Sequence, residues 1–142
     1  MDKRLIKGKI EYLDELLKKT KRKYDLYSKE KDEENLDTLY LAISKLFEEI
    51  CEVAISINNL LLEDKGDIAE TYALSFLKLK EHYKFDKKFI DSISKSSSFR
   101  NKMVHNYSSL EEELTIEKVK EFILLYEKYK ILILDFLEKN KK

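Results

Sequence analysis

"LDTLYLAISKLFEEICEVAISINNLL", residues 36–61, decides the fold class. Leu36, Ile43, Ile50 and Ile57 recur every seven residues, and the pairs Leu39/Tyr40, Leu46/Phe47, Val53/Ala54 and Leu60/Leu61 occupy the complementary positions. On a helix this spacing makes an apolar stripe wide enough to face more than one neighbour, as in a helical bundle. "EDKGD" then ends the segment, with Gly66 placed as the residue just past the last turn.

The flanking sequence supplies the neighbours. Residues 3–29 carry Ile6, Ile10, Leu13, Leu17, Tyr24 and Tyr27 at helical spacing, and the polar "SKEKDEEN" connects them to the central segment. Two such segments read as an antiparallel helical hairpin. A shorter third helix is predicted over Ile68 to Tyr83. A fourth starts after Asp86, which suits an N-cap, and runs through Phe89, Ile90 and Ile93 into "SFRNKMVHNY", residues 98–107. "NYSSLEEEL" reads as the connection out of it.

The last helix is predicted from Thr115 to about Lys139, with Val119, Phe122, Ile123, Tyr126, Ile133 and Leu137 on one face. "ILIL" at 131–134 puts four apolar residues in a row, so part of this helix must be wrapped by the chain's own bundle or meet another chain. The second option favours a homodimer. The expected fold is all-α: an antiparallel up-and-down helical bundle of four long helices plus a short one, spanning residues 1–142 as one domain.

Composition agrees with helices. The 142 residues include no Pro, no Trp and only two Gly, while 43% are hydrophobic and 39% charged. Strong helix formers dominate such a chain. Its 28 basic and 28 acidic residues cancel, which excludes a global positive field for nonspecific nucleic-acid binding and leaves only local contacts. A single Cys51 excludes an internal disulfide and a cysteine metal cluster, and fits a reducing cytosol. No apolar run approaches a membrane span, and "MDKRLIKGKI" lacks the apolar core of a signal peptide, so a cytoplasmic protein is expected.

Several other features have plain explanations. "KKTKRKY", residues 18–24, packs five basic side chains into six positions beside an aromatic, a composition that can hold a phosphate backbone. In a chain this rich in charge it reads as the solvated face of an amphipathic helix. Glu111, Glu112 and Glu113 are adjacent, so on a helix they diverge, and no histidine beside them completes a metal site. No metal and no cofactor are assigned. Cys51, beside the apolar stripe, reads as a buried structural thiol, and His82 in "KEHYKF" as a surface residue. Two glycines are too few for a phosphate-binding loop.

"SFRNKMVHNY" combines residue types that could do chemistry. If the helix persists, Asn101 and His105 are one i, i+4 step apart, while Arg100 and Tyr107 are nearly eclipsed. Phe99, Met103 and Val104 would pack inward and hold that edge. A guanidinium can grip a phosphate through two parallel hydrogen bonds. Histidine can give or take a proton near neutral pH. The pair therefore suits metal-independent RNA cleavage, with acid-base transfer and a cation beside the phosphate. An ordinary polar helix edge can carry the same residues, and spacing alone leaves both readings open.

"FRNKMVHNY" resembles the Arg-x-x-x-x-His-x-Tyr signature of the HEPN superfamily, and of the HepT-like toxins in particular, matching at Phe99, Arg100, Asn101, Val104, His105 and Tyr107. "LAISKLFEEICEVAISI" is similar to the family's long second helix and "ETYALSFLKL" to its short third one, so the likeness covers about Leu36 to Tyr107. The resemblance implies an endoribonuclease toxin of a type VII-like toxin-antitoxin pair. It would dimerise so that two motifs line one groove.

On that resemblance Arg100 would bind the scissile phosphate, His105 would transfer protons, Asn101 would order the site and Tyr107 would flank the phosphate. Lys102 joins them as a supporting or RNA-binding residue. The implied partner is a nucleotidyltransferase antitoxin of the MntA type, which would transfer AMP to Tyr107 and block the groove with an anionic group. The alternative is a non-catalytic subunit presenting nucleotide or substrate to a separate nucleotidyltransferase.

Two positions depart from the family pattern. Its second helix often carries Asp and then His where this chain has Glu52 and Ser56, which leaves that helix's contribution open. "SKSSS" before Phe99 could let two helices approach closely or could loosen a helix start.

Overall fold

A computed structural model describes residues 1–104 and 109–139. Among the described residues six helices run in the order α1 (Lys3–Lys29), α2 (Glu33–Glu63), α3 (Tyr72–His82), α4 (Lys87–Ser94), α5 (Ser96–Val104) and α6 (Ser109–Lys139), and there is no strand. Side-chain caps start the first four. Asp2, Asp32, Thr71 and Asp86 accept backbone N–H groups of Leu5, Asn35, Leu74 and Lys88, satisfying donors that a helix start leaves open.

The central stripe packs as its spacing predicts. Ile43, Phe47, Ile50, Ala54, Ile57 and Leu61 are all fully buried, and α2 touches α1, α3, α5 and α6. Around Phe47 the rings of Phe99, Phe122 and Tyr126 lie 5.6, 5.9 and 6.5 Å away, tying three helices together. Edge-to-face aromatic pairs of this kind stabilise a core beyond the area they bury.

A polar chain threads this core. Tyr129 donates to Asn58 Oδ1, and Asn58 Nδ2 donates to Ser75 Oγ at 2.9 Å, joining α6, α2 and α3. Tyr126 and Ser96 share a hydrogen bond of 2.7 Å between α6 and α5. Burial raises both phenols well above their ordinary pKa, so they remain neutral hydrogen-bonding groups.

Gly66 closes α2 as the sequence suggests. Its φ is +69°, its N–H donates to the Glu63 carbonyl at 3.0 Å, and the Asp67 N–H donates to the Leu62 carbonyl at 3.0 Å. These are the two bonds of a Schellman motif, which needs a left-handed residue at that position. A Cβ there would meet nothing within 4 Å, so only backbone strain opposes a larger residue. Gly66→Ala should therefore lower stability by about 1 kcal/mol in a denaturant titration. An unchanged midpoint would show that the turn relaxes freely.

Three expectations are adjusted. The third helix begins at Tyr72 rather than Ile68, because the Thr71 hydroxyl caps it. The last begins at Ser109 rather than Thr115, absorbing "LEEEL" from the expected connection, while Asn106–Ser108 of that connection lie outside the described residues. The fourth helix is broken at Lys95, so among the described residues three long and three short helices stand where four long and one short were expected. Two serine hydroxyls bond back to carbonyls at the break, Ser94 Oγ to Asp91 and Ser96 Oγ to Ile93, a contact that weakens and bends a helix.

The basic stretch of α1 is partly solvated and partly structural. Lys19 and Arg22 are exposed, whereas Lys21 pairs with Glu127 at 2.7 Å. Beside it Lys130 bridges Asp14 and Glu127, tying α6 to α1. Of the "ILIL" run, Ile133 is buried and Leu132 half-buried, while Ile131 stays 56% exposed.

Candidate active site

The short helix α5 carries Arg100, Asn101 and Lys102, and the core holds it at three points. Ser96 at its start bonds Tyr126, Phe99 packs against Phe47 and Phe122, and near its end the Met103 carbonyl accepts from the Tyr40 hydroxyl at 3.0 Å. Met103 itself is buried, and Phe99 is half-buried against the core, so both pack inward as expected. The break at Lys95 lets these anchors aim α5 independently of α4.

Arg100 is half-buried and turns toward α3. Its Nη1 donates to the Tyr72 hydroxyl at 3.1 Å, and the guanidinium carbon lies 4.5 Å from the centre of the Tyr72 ring. Nη2 donates to Asn101 Oδ1 at 3.0 Å. The Nε–H is buried without a partner among the described residues. One side of the guanidinium is thus fixed by a half-buried contact, and another is held only by an exposed amide.

Burial raises the Tyr72 phenol above its ordinary pKa, outweighing the downward pull of Arg100, while Glu52 pushes it further up. Tyr72 is therefore neutral and serves Arg100 as an acceptor and a ring face. Glu52 is exposed on α2 within electrostatic range of Tyr72 and Cys51. Ser56 is half-buried one turn further along.

Lys102 is exposed and faces away from this pair, lining a hollow of about 420 Å³ with Lys95, Ser98 and Lys118. His105 and Tyr107 lie outside the described residues. Of the expected constellation, the structure brings Arg100 and Asn101 together and sets Lys102 apart from them.

The turn that delivers Tyr72 is clamped. Asp67 Oδ2 lies 2.9 Å from His82 Nε2, and Asp67 Oδ1 accepts from Lys78 Nζ at 2.9 Å. His82, expected at the surface, is half-buried and spans α3 back to the turn. His82 and Lys78 hold the Asp67 carboxyl well below the usual range. A depressed carboxylate contributes stability that is present above its unfolded pKa of about 3.9 and lost as pH falls through the lower folded value. Asp67→Asn should melt below the parent at neutral pH, with the gap closing in strong acid. A gap independent of pH would contradict an ionic clamp.

Cys51 is buried and its thiol is pushed up to about 11 by burial, which makes it an inert structural group. Among the described residues no cluster of three or more His, Cys, Asp or Glu could hold a metal ion. Of the Glu111–Glu113 triplet only Glu112 is buried, which raises its carboxyl.

The family is settled by sequence comparison: a model described as ribonuclease HepT-like matches residues 9–133. The chain belongs to the HepT-like family. Among solved structures, the HepT-like chain is similar to the tri-AMPylated Shewanella oneidensis HEPN toxin in complex with MNT antitoxin. Identity is 21%, coverage is 95% of this chain and 99% of that one, and the TM-score is 0.76. That likeness establishes the all-α HEPN fold for the HepT-like chain. A comparison with curated proteins gives no match. Among the described residues of this HepT-like chain, no helix is long and apolar enough to cross a membrane.

Sequence reasoning placed Tyr40 only in the apolar stripe and gave Tyr72 no role, missing their contacts with the motif helix. Each contacts α5 from a distant element, 28 and 63 residues away along the chain. Helical periodicity reports neighbours three or four residues apart.

Proposed function

We propose that this HepT-like chain is a metal-independent endoribonuclease toxin, one domain over residues 1–142, cytoplasmic and active as a homodimer. The observation that carries this reading is the family match over residues 9–133, which contains the whole Arg-x-x-x-x-His-x-Tyr stretch. The geometry at Arg100 supports it. Tyr72 fixes Nη1, so a phosphate that displaces the exposed Asn101 amide meets a guanidinium already oriented.

In the proposed reaction a base removes the ribose 2′-hydroxyl proton, and the 2′-oxygen attacks phosphorus. The bond from phosphorus to the 5′-oxygen breaks, and an acid protonates the leaving oxygen. Products are a 2′,3′-cyclic phosphate and a 5′-hydroxyl. His105 from each of two protomers supplies acid and base and Arg100 offsets the charge on the pentacoordinate phosphate, while Lys102, on another side of the motif helix, meets the RNA backbone away from the scissile phosphate.

Control would come from an MntA-like nucleotidyltransferase antitoxin. The Tyr107 phenol gives up its proton as its oxygen attacks the α-phosphorus of ATP, the bond from that phosphorus to pyrophosphate breaks, and AMP remains on the tyrosine. An anion at that place repels the RNA backbone. The similarity in fold to a tri-AMPylated HEPN toxin in complex with MNT antitoxin supports this arm.

Purified protein incubated with total RNA in EDTA should cut it, and His105→Ala should leave it intact. RNA intact under every condition, together with tight binding to a nucleotidyltransferase, would instead favour the non-catalytic subunit.

A further inference from the structure

The outer side of the α4, α5 and α6 packing is a continuous trough. Three hollows of about 420, 410 and 490 Å³ share walls: Ser92 and Leu125 join the first two, and Asp86, Lys128 and Leu132 join the second to the third. The trough begins at Lys102 and Lys118 beside the motif helix and ends at Lys139. From Lys118 to Lys139 along α6 it extends about 30 Å.

Its charge departs sharply from that of the chain. Seven lysines line it against three carboxylates, Asp86, Glu121 and Asp135, in a protein whose formal net charge is zero. Lys118 pairs with Glu121 at 3.2 Å. Lys84, Lys88, Lys95, Lys102, Lys128 and Lys139 have no ion-pair partner among the described residues. Between them the walls expose ring surface from Phe89, Phe99 and Phe136.

We propose that this trough is a binding track for single-stranded RNA, leading the strand away from the motif. Unpaired lysines in a row match a backbone charged at every phosphate, and half-buried rings offer faces on which bases stack without sequence preference. A second copy of the chain is a poor occupant. Twofold pairing places the same patch opposite itself, and seven lysines against three carboxylates on each copy leave an excess of like charge across such a contact. The track rests on the ribonuclease reading for its ligand, but it is a binding surface and can be tested without cleavage.

The probe is a fluorescein-labelled 15-mer of oligouridylate, titrated by anisotropy against the His105→Ala protein so that it stays whole. Lys88, Lys95 and Lys128 are exposed and have no role in the proposed chemistry. Adding Lys88→Glu, Lys95→Glu and Lys128→Glu together should weaken binding at least about tenfold and reduce the salt slope by about 2. The corresponding three Gln substitutions should fall between, with unchanged melting and sedimentation for both sets.

Unaltered affinity and salt slope, or no binding of the probe by the His105→Ala protein even at low salt, would overturn the track. So would a change of oligomeric mass on charge reversal, which would mark a contact between copies. RNA cleavage by the parent is scored separately. A parent that cuts RNA while all three proteins bind alike sinks only the track. A parent that never cuts, with binding that still falls on charge reversal, sinks only the nuclease.

Discussion

Arg100→Ala should lower RNA cleavage on the order of 10³-fold while leaving the melting temperature within a few degrees of the parent. Among the described residues of the motif helix, the guanidinium is the only cation that is both half-buried and oriented, through Tyr72 and Asn101. Removing an oriented group that meets charge developing in a transition state typically costs two to three orders of magnitude, roughly. Arg100→Lys keeps the charge but loses the fork and the stacking, so it should recover about tenfold at most.

Tyr72→Phe separates positioning from charge. The ring remains under the guanidinium and the hydrogen bond of 3.1 Å is lost. A drop of about tenfold in kcat, close to 1.4 kcal/mol, is expected with KM little changed. Parental cleavage by both Tyr72→Phe and Arg100→Ala would show that this cluster is structural.

Phe47→Ala should destabilise the fold by about 3–5 kcal/mol in chemical denaturation, the range for emptying a buried aromatic site. Phe47 is fully buried, and three rings from α5 and α6 lie within 6.5 Å of it. Against a typical total stability of about 5–15 kcal/mol that is a large fraction. Because Phe99, which immediately precedes Arg100, packs on Phe47, the variant should also lose cleavage well below its unfolding temperature. A cost under about 1 kcal/mol would mean that the ring cluster collapses to fill the space and that α2 does not support the site as described.

The hierarchy of legibility follows from range. Caps and turns depend on residues within four positions, so Asp86 and Gly66 could be read directly and appear as expected. The stripe from Leu36 to Leu61 depends on one periodicity and identified the all-α bundle. The break at Lys95 is not legible because serine hydroxyls bond back to carbonyls in unbroken helices as well, as Ser75 does within α3, so the run of serines does not by itself mark a break. His82 and Tyr72 gained their roles from partners 15 and 28 residues away, which no local pattern encodes. Within the motif, residue types suggested the chemistry, yet only the fold shows that Lys102 and Arg100 point to different surfaces.

The most direct test of the proposed reaction is the chemistry of the RNA ends. RNA cut by the purified protein in EDTA should carry 2′,3′-cyclic phosphate at one end and 5′-hydroxyl at the other, and the fragments should vanish with His105→Ala. Fragments bearing 5′-phosphate and 3′-hydroxyl, or cyclic-phosphate fragments that persist undiminished in His105→Ala, would contradict attack by the 2′-hydroxyl under histidine control.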